Sequence, residues 1–535
     1  MGESYNLLFR TLHQYLSAPL SVKASKISRY VFLVVASLSL FWLVYFSFAA
    51  IHIPYPIEYR EGASQVMTQI LLTGGNPFSL ERHPLSMNNY GIGYNLIVFP
   101  FAKIFGNTLI VHRSVSAFFL FASLFLIVCQ LWRLKQDLLI SMICGIFIAI
   151  GLAGRGGLGA FSSALGTFLF LSAILLPSLY SFRFSSLVLS AVLAIIAYYT
   201  KPYFVIAFAI VAVYTFTFVS KRKGFFYCLF FLFTFGLLFL AARYILKLYF
   251  IDTFISNLFN TKQSLEHLYD QLLELGIEFS PAILVGLVLL LFNLSSFPLA
   301  KFRKSIVARA GILQADTPLL NIRINYFAYA FIFCFLVFVL VLGPHKGSYM
   351  TYSYQIVVPP FILWLFQMLN SKSRISTIAM GVLLINVVFL EWILIHPSFL
   401  HQRTSVAWQN LYDLINTSQY VANNPVLASA VIEAGMVPID SGQTEYYYDI
   451  KRYPDNILFG PNYKTIKQQG MTYTLSIRNA IRNYEFDRIF LTDGFGNLLP
   501  RGIVNQYYNQ IDTITIEMPQ THQTWVISVW EPKAR

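Results

Sequence analysis

Residues Gly91–Gly106 read GIGYNLIVFPFAKIFG, and the placement of this stretch decides how the rest of the chain is arranged. It is apolar enough to suggest a membrane span, but Pro100 interrupts it and Lys103 lies near its end. A helix of this length covers about 24 Å, less than the roughly 30 Å of a bilayer core. Counting it as a span would also move the basic segments of later loops to the non-cytoplasmic side. We therefore expect a re-entrant or interfacial helix.

The composition is that of an integral membrane protein. The chain has 535 residues, of which 56% are hydrophobic and only 12% charged, and its mean hydropathy is +0.60. A soluble domain has about 25% charged residues, and here apolar runs of about 18 residues or more recur. The net charge of +14 comes from short loops between those runs, which is typical of cytoplasmic loops. We expect no nucleic-acid partner. The four cysteines lie in apolar runs and are expected to pack as small hydrophobic residues.

With Gly91–Gly106 excluded, the sequence predicts a polytopic α-helical protein with about eleven transmembrane helices. These lie near 30–51, 114–132, 138–153, 160–181, 185–200, 203–219, 225–249, 280–299, 324–342, 356–370 and 376–396. The loops on one side then hold clusters of Lys and Arg, which places the N-terminus in the cytoplasm and the C-terminus outside.

Three regions follow from this topology. Residues 1–28 are predicted to form a cytoplasmic segment, and residues 29–397 a transmembrane domain whose first extracytoplasmic loop is 52–113. Residues 398–535 are more polar and are predicted to form a small extracytoplasmic α/β domain. Its strand-like runs are Arg488–Thr492, Thr513–Met518 and Thr524–Trp530.

The first outside loop contains the candidate catalytic residues. Glu58 and Glu61 are three residues apart, so on a helix they would share a face. Gly62 follows, which lets a substrate or another backbone approach closely. The alternative is an interfacial helix whose charges point to water, with Arg60 pairing with either glutamate. The spacing alone leaves both interpretations open.

Cations in the short outside turns favour the functional interpretation. A single such cation would be explained as an anchor at the membrane interface. Several turns facing an acidic loop indicate a pocket for an anion, and a lipid phosphate suits Arg and Lys. The cations are Arg155, Lys201, His345 and Lys346. Tyrosines that follow them indicate an interfacial aromatic belt, with sugar contact as the alternative. No nucleotide-binding signature is present, so an ATP-driven pump is not expected.

The loop resembles that of the GT-C glycosyltransferases that use polyprenyl-phosphate sugars, such as protein O-mannosyltransferases and the aminoarabinose transferase that modifies lipid A. The segments that resemble the family pattern are Arg60-Glu61-Gly62, Leu72–Phe78, Asn89–Tyr94, Ile104–Gly106 and Arg113. The resemblance covers the first loop, and in outline the span layout and the outside domain. The acidic pair of the family is reduced to Arg60-Glu61, so Glu58 and Glu61 compete for its role. A double proline of the family pattern is missing, so acceptor specificity is not transferred.

The resemblance implies an inverting hexosyl- or pentosyltransferase that moves a sugar from a polyprenyl-phosphate donor to an acceptor outside the cytoplasm. The acceptor would be a glycolipid, a protein or a cell-envelope glycan, and the location a bacterial inner or plasma membrane. Glu61 is then the preferred base, and Glu58 the alternate base or acceptor-positioning residue. Lys201, His345, Lys346 and Arg155 would bind the donor phosphate, and Arg60, Tyr90, Tyr94, Tyr349 and Tyr352 would line the substrate site. No metal-ligand set is evident; the only small molecule expected is the lipid-linked donor, although the family admits a divalent metal.

Two other classes of function compete with this hypothesis. A transporter or flippase for a lipid-linked saccharide would use charges within the membrane, but Glu391 and Arg243 lie near predicted span ends, and paired broken helices are absent from the pattern. A non-catalytic membrane scaffold with an outside binding domain would leave the acidic loop and the cationic turns unexplained.

Overall fold

The structure is a computed structural model. It describes residues 14–79, 90–134, 136–246, 248–250, 252–253, 263–295, 325–345, 350–369, 373–395, 402–440, 462–492, 499–517 and 524–534.

The described residues in the first three quarters of the chain are mainly helical. The helices are α1 (Val22–His52), α2 (Glu61–Leu72), α3 (Gly93–Phe105), α4 (Leu109–Arg133), α5 (Leu138–Leu152), α6 (Ser163–Leu179), α7 (Phe184–Tyr198), α8 (Ile206–Tyr214), α9 (Lys221–Ile245), α10 (Leu265–Glu278), α11 (Ser280–Ser295), α12 (Tyr326–Val337), α13 (Met350–Ile356), α14 (Val358–Gln367) and α15 (Arg374–Leu394). A π-helical turn, Ala153–Gly157, extends α5, and a short 3₁₀ turn, Pro202–Val205, precedes α8.

Six helical segments in the described part of the chain are long and apolar enough to cross a membrane. They are Val22–His52, Leu109–Arg133, Leu138–Gly157, Pro202–Val219, Lys221–Ile245 and Arg374–Leu394. A seventh is added if α10 and α11, which are bent by 77° relative to each other, count as one broken span. These helices and the composition are those of a membrane protein. The other predicted spans coincide with helices of 10 to 17 residues, so the count of eleven stays a prediction.

The stretch Gly91–Gly106 forms the short helix α3. With 13 residues the helix is about 20 Å long, which agrees with a segment too short to span a bilayer. It ends at Gly106, whose φ of 91° suits a residue without a Cβ atom. The helix packs against α2 and α4, and so helps to hold the first loop beside the membrane helices.

The C-terminal part of the chain folds around a four-stranded sheet of order β1-β2-β4-β3. β1 pairs in parallel with β2, and the other two pairings are antiparallel, with Ile489 opposite Trp530. The strands are β1 (Val421–Ala422), β2 (Arg488–Thr492), β3 (Tyr508–Glu517) and β4 (Thr524–Pro532), and the helices are α16 (Gln402–Asn416), α17 (Ala428–Glu433), α18 (Asn462–Arg482) and α19 (Arg501–Tyr507). β2 coincides with the predicted run Arg488–Thr492, and β4 contains the predicted run Thr524–Trp530. β3 begins five residues before the predicted run Thr513–Met518 and ends at Glu517, and Met518 lies outside the described residues. The two-residue β1 was not predicted.

This C-terminal domain packs directly on the first loop. Ala428, at the start of α17, lies against Gly62, where an added Cβ would be 2.6 Å from the Ala428 Cβ. Trp408 of α16 stacks on Tyr55 with a ring-centroid distance of 5.4 Å. Glu433 accepts the N–H of Leu109, the first residue of α4, at 3.1 Å. The sequence predicted that a substrate or another backbone comes close to Gly62, and in the structure the backbone at Ala428 and Ser429 does so.

Candidate functional site

The two glutamates of the first loop do not share a helical face. Helix α2 begins at Glu61, and Glu58 lies in the turn before it. The Glu58 carboxylate accepts the N–H of Arg60 at 2.9 Å, and the Glu58 carbonyl accepts the N–H of Glu61. Such local bonds favour a turn over a helix, so the predicted placement of Glu58 on the helix is wrong. Both carboxylates are buried, with 1% and 0% exposure, so the interpretation in which they face water is also wrong.

Glu61 forms a buried ion pair with Arg113. The guanidinium Nε and Nη2 donate to Oε1 at 2.9 Å and to Oε2 at 2.6 Å, the two-pronged geometry that binds carboxylates most strongly. The N–H of Ala160 also donates to Oε1 at 2.7 Å, and the N–H of Ile57 to Oε2 at 2.8 Å. Both oxygens of Glu61 are therefore fully engaged.

Arg113 uses its remaining donors to bind the end of α1. Nη1 donates to the carbonyls of Ala50 and Ile53, and Nη2 to that of Tyr55 at 2.8 Å. The last carbonyls of a helix lack partners within the helix, so these bonds satisfy groups that would otherwise be buried without one. The Glu61–Arg113 pair thus joins α1, the loop, α4 and the turn after α5. Its geometry is that of a structural ion pair that holds these four segments together.

Glu58 has a different environment. Its Oε1 accepts from Nε of Arg60 at 2.6 Å, and the second oxygen binds the backbone of the same residue. Burial raises the pKa of Glu58, while the charge and hydrogen bonds of Arg60 oppose that rise. Arg60 also donates from Nη1 to the hydroxyl of Tyr90 at 2.9 Å. The partner of Glu58 is therefore local in sequence.

Lys201 lies beside this pair and is buried, with 2% exposure. Its Nζ donates to Oγ of Ser163 at 2.9 Å and lies 4.8 Å from the centroid of the Tyr90 ring. Burial lowers the pKa of Lys201 most, and the positive charge of Arg60 lowers it further. The negative charge of Glu58 raises it. Among the described residues of this cluster, two cations lie next to one carboxylate, which leaves an excess of positive charge. We call Glu58, Arg60, Tyr90 and Lys201 the Lys201 centre.

Aromatic rings surround the ammonium group. Phe161 lies 5.3 Å from Cζ of Arg60 and 5.8 Å from Nζ of Lys201, and the rings of Tyr203 and Tyr352 each lie 5.9 Å from Nζ. The hydroxyl of Tyr203 donates to Gln355. The sequence predicted Tyr90 and Tyr352 as lining residues, and the structure brings both to Lys201. Phe161, Tyr203 and Ser163 were missed; the only available signal was that Tyr203 follows Lys201 by two residues.

Three other predicted site residues, Arg155, Tyr94 and His345, have partners outside the Lys201 centre. Arg155, in the π-helical turn, pairs with Glu274 at 2.5 Å and with Glu278, which also accepts from the hydroxyl of Tyr354. The Tyr94 hydroxyl, buried between α3 and α4, donates to the carbonyl of His112 at 3.0 Å. His345 pairs as an isolated β-bridge with Gln263. Lys346 and Tyr349 lie outside the described residues. The predicted roles of these five residues stay predictions.

Comparison of the chain with protein-family models, with curated proteins and with solved structures finds no match. Among the described residues, no three His, Cys, Asp or Glu side chains form a group that could hold a metal ion. The candidate function therefore depends on the geometry of the two carboxylate pairs and of Lys201.

Proposed function

We propose that the protein is a GT-C-like membrane glycosyltransferase with about eleven spans and a cytoplasmic N-terminus. In this proposal it transfers a sugar, with inversion, from a polyprenyl-phosphate donor to an acceptor outside the cytoplasm. The observation that supports it most is the Lys201 centre, in which a buried carboxylate lies beside two cations. Arg60 and Lys201 each directly precede the first residue of a helix or 3₁₀ turn.

The excess positive charge suits the phosphate of the donor. Buried cations without full compensation are unfavourable, and an anion placed between them relieves that cost. The ammonium of Lys201 has three donors, and in the described part of the chain it makes one hydrogen bond, to Ser163. A phosphodiester carries a single negative charge, which matches the excess of one cation. The same cations stabilise the charge that develops on the departing polyprenyl phosphate.

We assign the role of general base to Glu58 in place of Glu61. In the described part of the chain, the hydrogen bonds to the Glu58 carboxylate come from Arg60, two residues away, so a local rotation of the Arg60 side chain towards the phosphate frees a carboxylate oxygen. Glu61 is held by groups from three separate segments and has no free position. Burial raises the pKa of Glu58, and this makes it a stronger base.

The reaction then proceeds in one displacement. The acceptor hydroxyl gives its proton to Glu58 as its oxygen forms a bond to the anomeric carbon, and the bond from that carbon to the phosphate oxygen breaks on the opposite face. The electron pair of the broken bond leaves with the polyprenyl phosphate, next to Lys201 and Arg60. The rings of Tyr203 and Tyr352 supply apolar faces for the sugar.

Sugar transfer in membranes tests this proposal. Labelled polyprenyl-phosphate sugars of several kinds are offered to the wild type and to Glu58→Gln, with Glu266→Gln as control because Glu266 is exposed on α10. We expect wild-type transfer from one donor, loss of about a hundred- to ten-thousandfold in Glu58→Gln at normal abundance, and no change in the control. If the wild type consumes no donor, or if Glu58→Gln is as active as wild type, the proposal is wrong. In the first case, translocation of a fluorescent lipid-linked saccharide would test the transporter hypothesis.

A further inference from the structure

A cavity of about 650 Å³ lies between the C-terminal end of α1 and helix α16. Its inner wall contains the stacked rings of Tyr55 and Trp408, and polar groups of His52, Gln409 and Asn416 also line it. No residue of the Lys201 centre is among the described residues that line this cavity. It is separate from the proposed donor site, and its volume is typical of a cavity that binds a small molecule.

The cavity opens next to the apolar surface of a candidate membrane span. Helix α1 passes the length and hydropathy requirements for a span, and its last turns expose large apolar side chains, including Phe41, Tyr45 and Phe48. Phe48 lies directly before Ala49, which lines the cavity. His52, also at the rim, packs its ring against Phe48 at 4.1 Å. A molecule with its head in the cavity could therefore place alkyl chains along α1, as a bilayer lipid would.

Among the described residues that line the cavity, His52 is the only one with a basic side chain. The described lining residues include two amides, a hydroxyl and two phenols but no Asp, Glu, Lys or Arg. Carboxylates lie just behind the wall: Asp413 accepts from the amide of Gln409 at 2.9 Å, and Glu433 from Tyr412 at 3.5 Å. Among the described residues that line the cavity, no lysine or arginine would balance a phosphate head group placed near these carboxylates. Amides and hydroxyls beside aromatic rings instead suit the hydroxyl groups and apolar faces of sugars.

We propose that this cavity binds the uncharged carbohydrate head of a membrane glycolipid whose alkyl chains lie along α1. That this glycolipid is the acceptor of the sugar rests on the proposed function. The binding site itself does not, because its lining, volume and position beside α1 are independent of the Lys201 centre.

Photolabelling of the full-length protein in nanodiscs tests the binding site. The two probes are dodecyl maltoside and dodecylphosphocholine, each with a diazirine in the alkyl chain, and the labelled peptides are identified by mass spectrometry. We expect the maltoside to label the region 41–55 about fivefold more than the phosphocholine, the effect of about one hydrogen bond. Gln409→Leu and Asn416→Leu should each reduce maltoside labelling by a similar factor. Asn410→Leu is the control, since Asn410 is exposed on α16 but does not line the cavity.

Equal labelling by the two probes, or maltoside labelling that survives both substitutions, would overturn the proposal. The substituted side chains are exposed, so the variants are expected to fold, and an unchanged melting temperature verifies this. Head-selective labelling in a protein without sugar transfer would contradict the proposed function alone. Sugar transfer without head-selective labelling would contradict the glycolipid cavity alone.

Discussion

Glu58 and Glu61 are three residues apart in the first loop, and each forms an ion pair with an arginine. The two pairs differ in how the rest of the molecule binds them. Glu61 and Arg113 are both fully buried, and their partners come from the end of α1, the loop, α4 and the turn before α6. Glu58 and Arg60 are neighbours in sequence, and their hydrogen bonds to each other are local. The first pair connects distant segments, whereas the second stays within one turn.

The difference separates a structural pair from a candidate catalytic one. A buried charge is tolerated when its partners satisfy every donor and acceptor, and Glu61–Arg113 meets that condition. At Glu58 the nearby Lys201 adds a second cation to one carboxylate among the described residues, and burial shifts the pKa values of Glu58 and Lys201. Shifted pKa values in a buried cluster of unbalanced charge are typical of functional sites. The completeness of the hydrogen bonding therefore distinguishes the two carboxylates better than their positions in sequence.

The largest expected effect is the loss of the Glu61–Arg113 pair. Glu61→Gln or Arg113→Met leaves the other charge buried without its partner, which costs about 3–5 kcal/mol in the free energy of unfolding. Thermal unfolding in detergent, or the amount of folded protein in membranes, measures this loss. The double variant Glu61→Gln/Arg113→Met should recover part of it, because no unpaired charge remains. Single variants as stable as the wild type would show that the pair does not hold these segments together.

Replacement of Glu58 should give the opposite result. Glu58→Gln is expected to lower the melting temperature less than Glu61→Gln does, because the Arg60 side chain is 15% exposed whereas Arg113 is fully buried, while kcat falls by about a hundred- to ten-thousandfold. The wild-type rate should also fall as the pH drops through the pKa of Glu58, because a base must be unprotonated. Since burial raises that pKa, the fall begins at a higher pH than for an ordinary carboxyl group. A pH–rate profile without an acidic limb, or a Glu58→Gln variant that loses stability as Glu61→Gln does, would remove the contrast between the pairs.

A smaller effect is expected where the C-terminal domain contacts α2. In Gly62→Ala the new methyl group would lie 2.6 Å from Cβ of Ala428 and 3.1 Å from the backbone nitrogen of Ser429. Such overpacking costs about 1–3 kcal/mol, and hydrogen exchange in α17 should increase. Ala428→Gly in the same chain should restore part of the protection. Gly502→Ala is the matched control, because no heavy atom lies within 4 Å of its added Cβ.

The parts of the fold that sequence predicts are those set by local pattern. The run Arg488–Thr492 has three consecutive apolar residues, which is typical of a strand buried on both faces, and it forms β2. The short, proline-interrupted stretch around Pro100 forms a helix too short to span a bilayer. Pairing of β1 was not predicted, because two residues carry no periodic signal. The predicted helical face shared by the glutamates was wrong, since the side chain of Glu58 binds the backbone of Arg60 and stabilises a turn.

The candidate site depends on contacts between distant segments, which one sequence does not reveal. Arg113 and Glu61 are separated by 52 positions, and nothing in the local pattern joins them. Spacing drew attention to both glutamates but could not show which one has its oxygens fully occupied. The turn containing Lys201 was identified because a cation between apolar runs is unusual. Its neighbour Phe161 has no such signal, because aromatic residues are common throughout the chain.

The smallest expected effect is the pH dependence of donor binding at the Lys201 centre. Lys201 faces Glu58 and Arg60 from the first loop, Tyr90 from the turn before α3, Tyr203 and Tyr352, and its pKa lies below the ordinary value. A bound phosphate attracts the ammonium and raises that pKa, so binding takes up a proton. Affinity is then full below the pKa of Lys201 in the free protein and falls as the pH rises through it, by at most about tenfold per pH unit. The KM for the donor, measured against pH, should rise accordingly.

Lys201→Arg should give a flat profile, because arginine stays charged. A profile that rises equally in that variant would assign the titration to another group and remove Lys201 from the phosphate site.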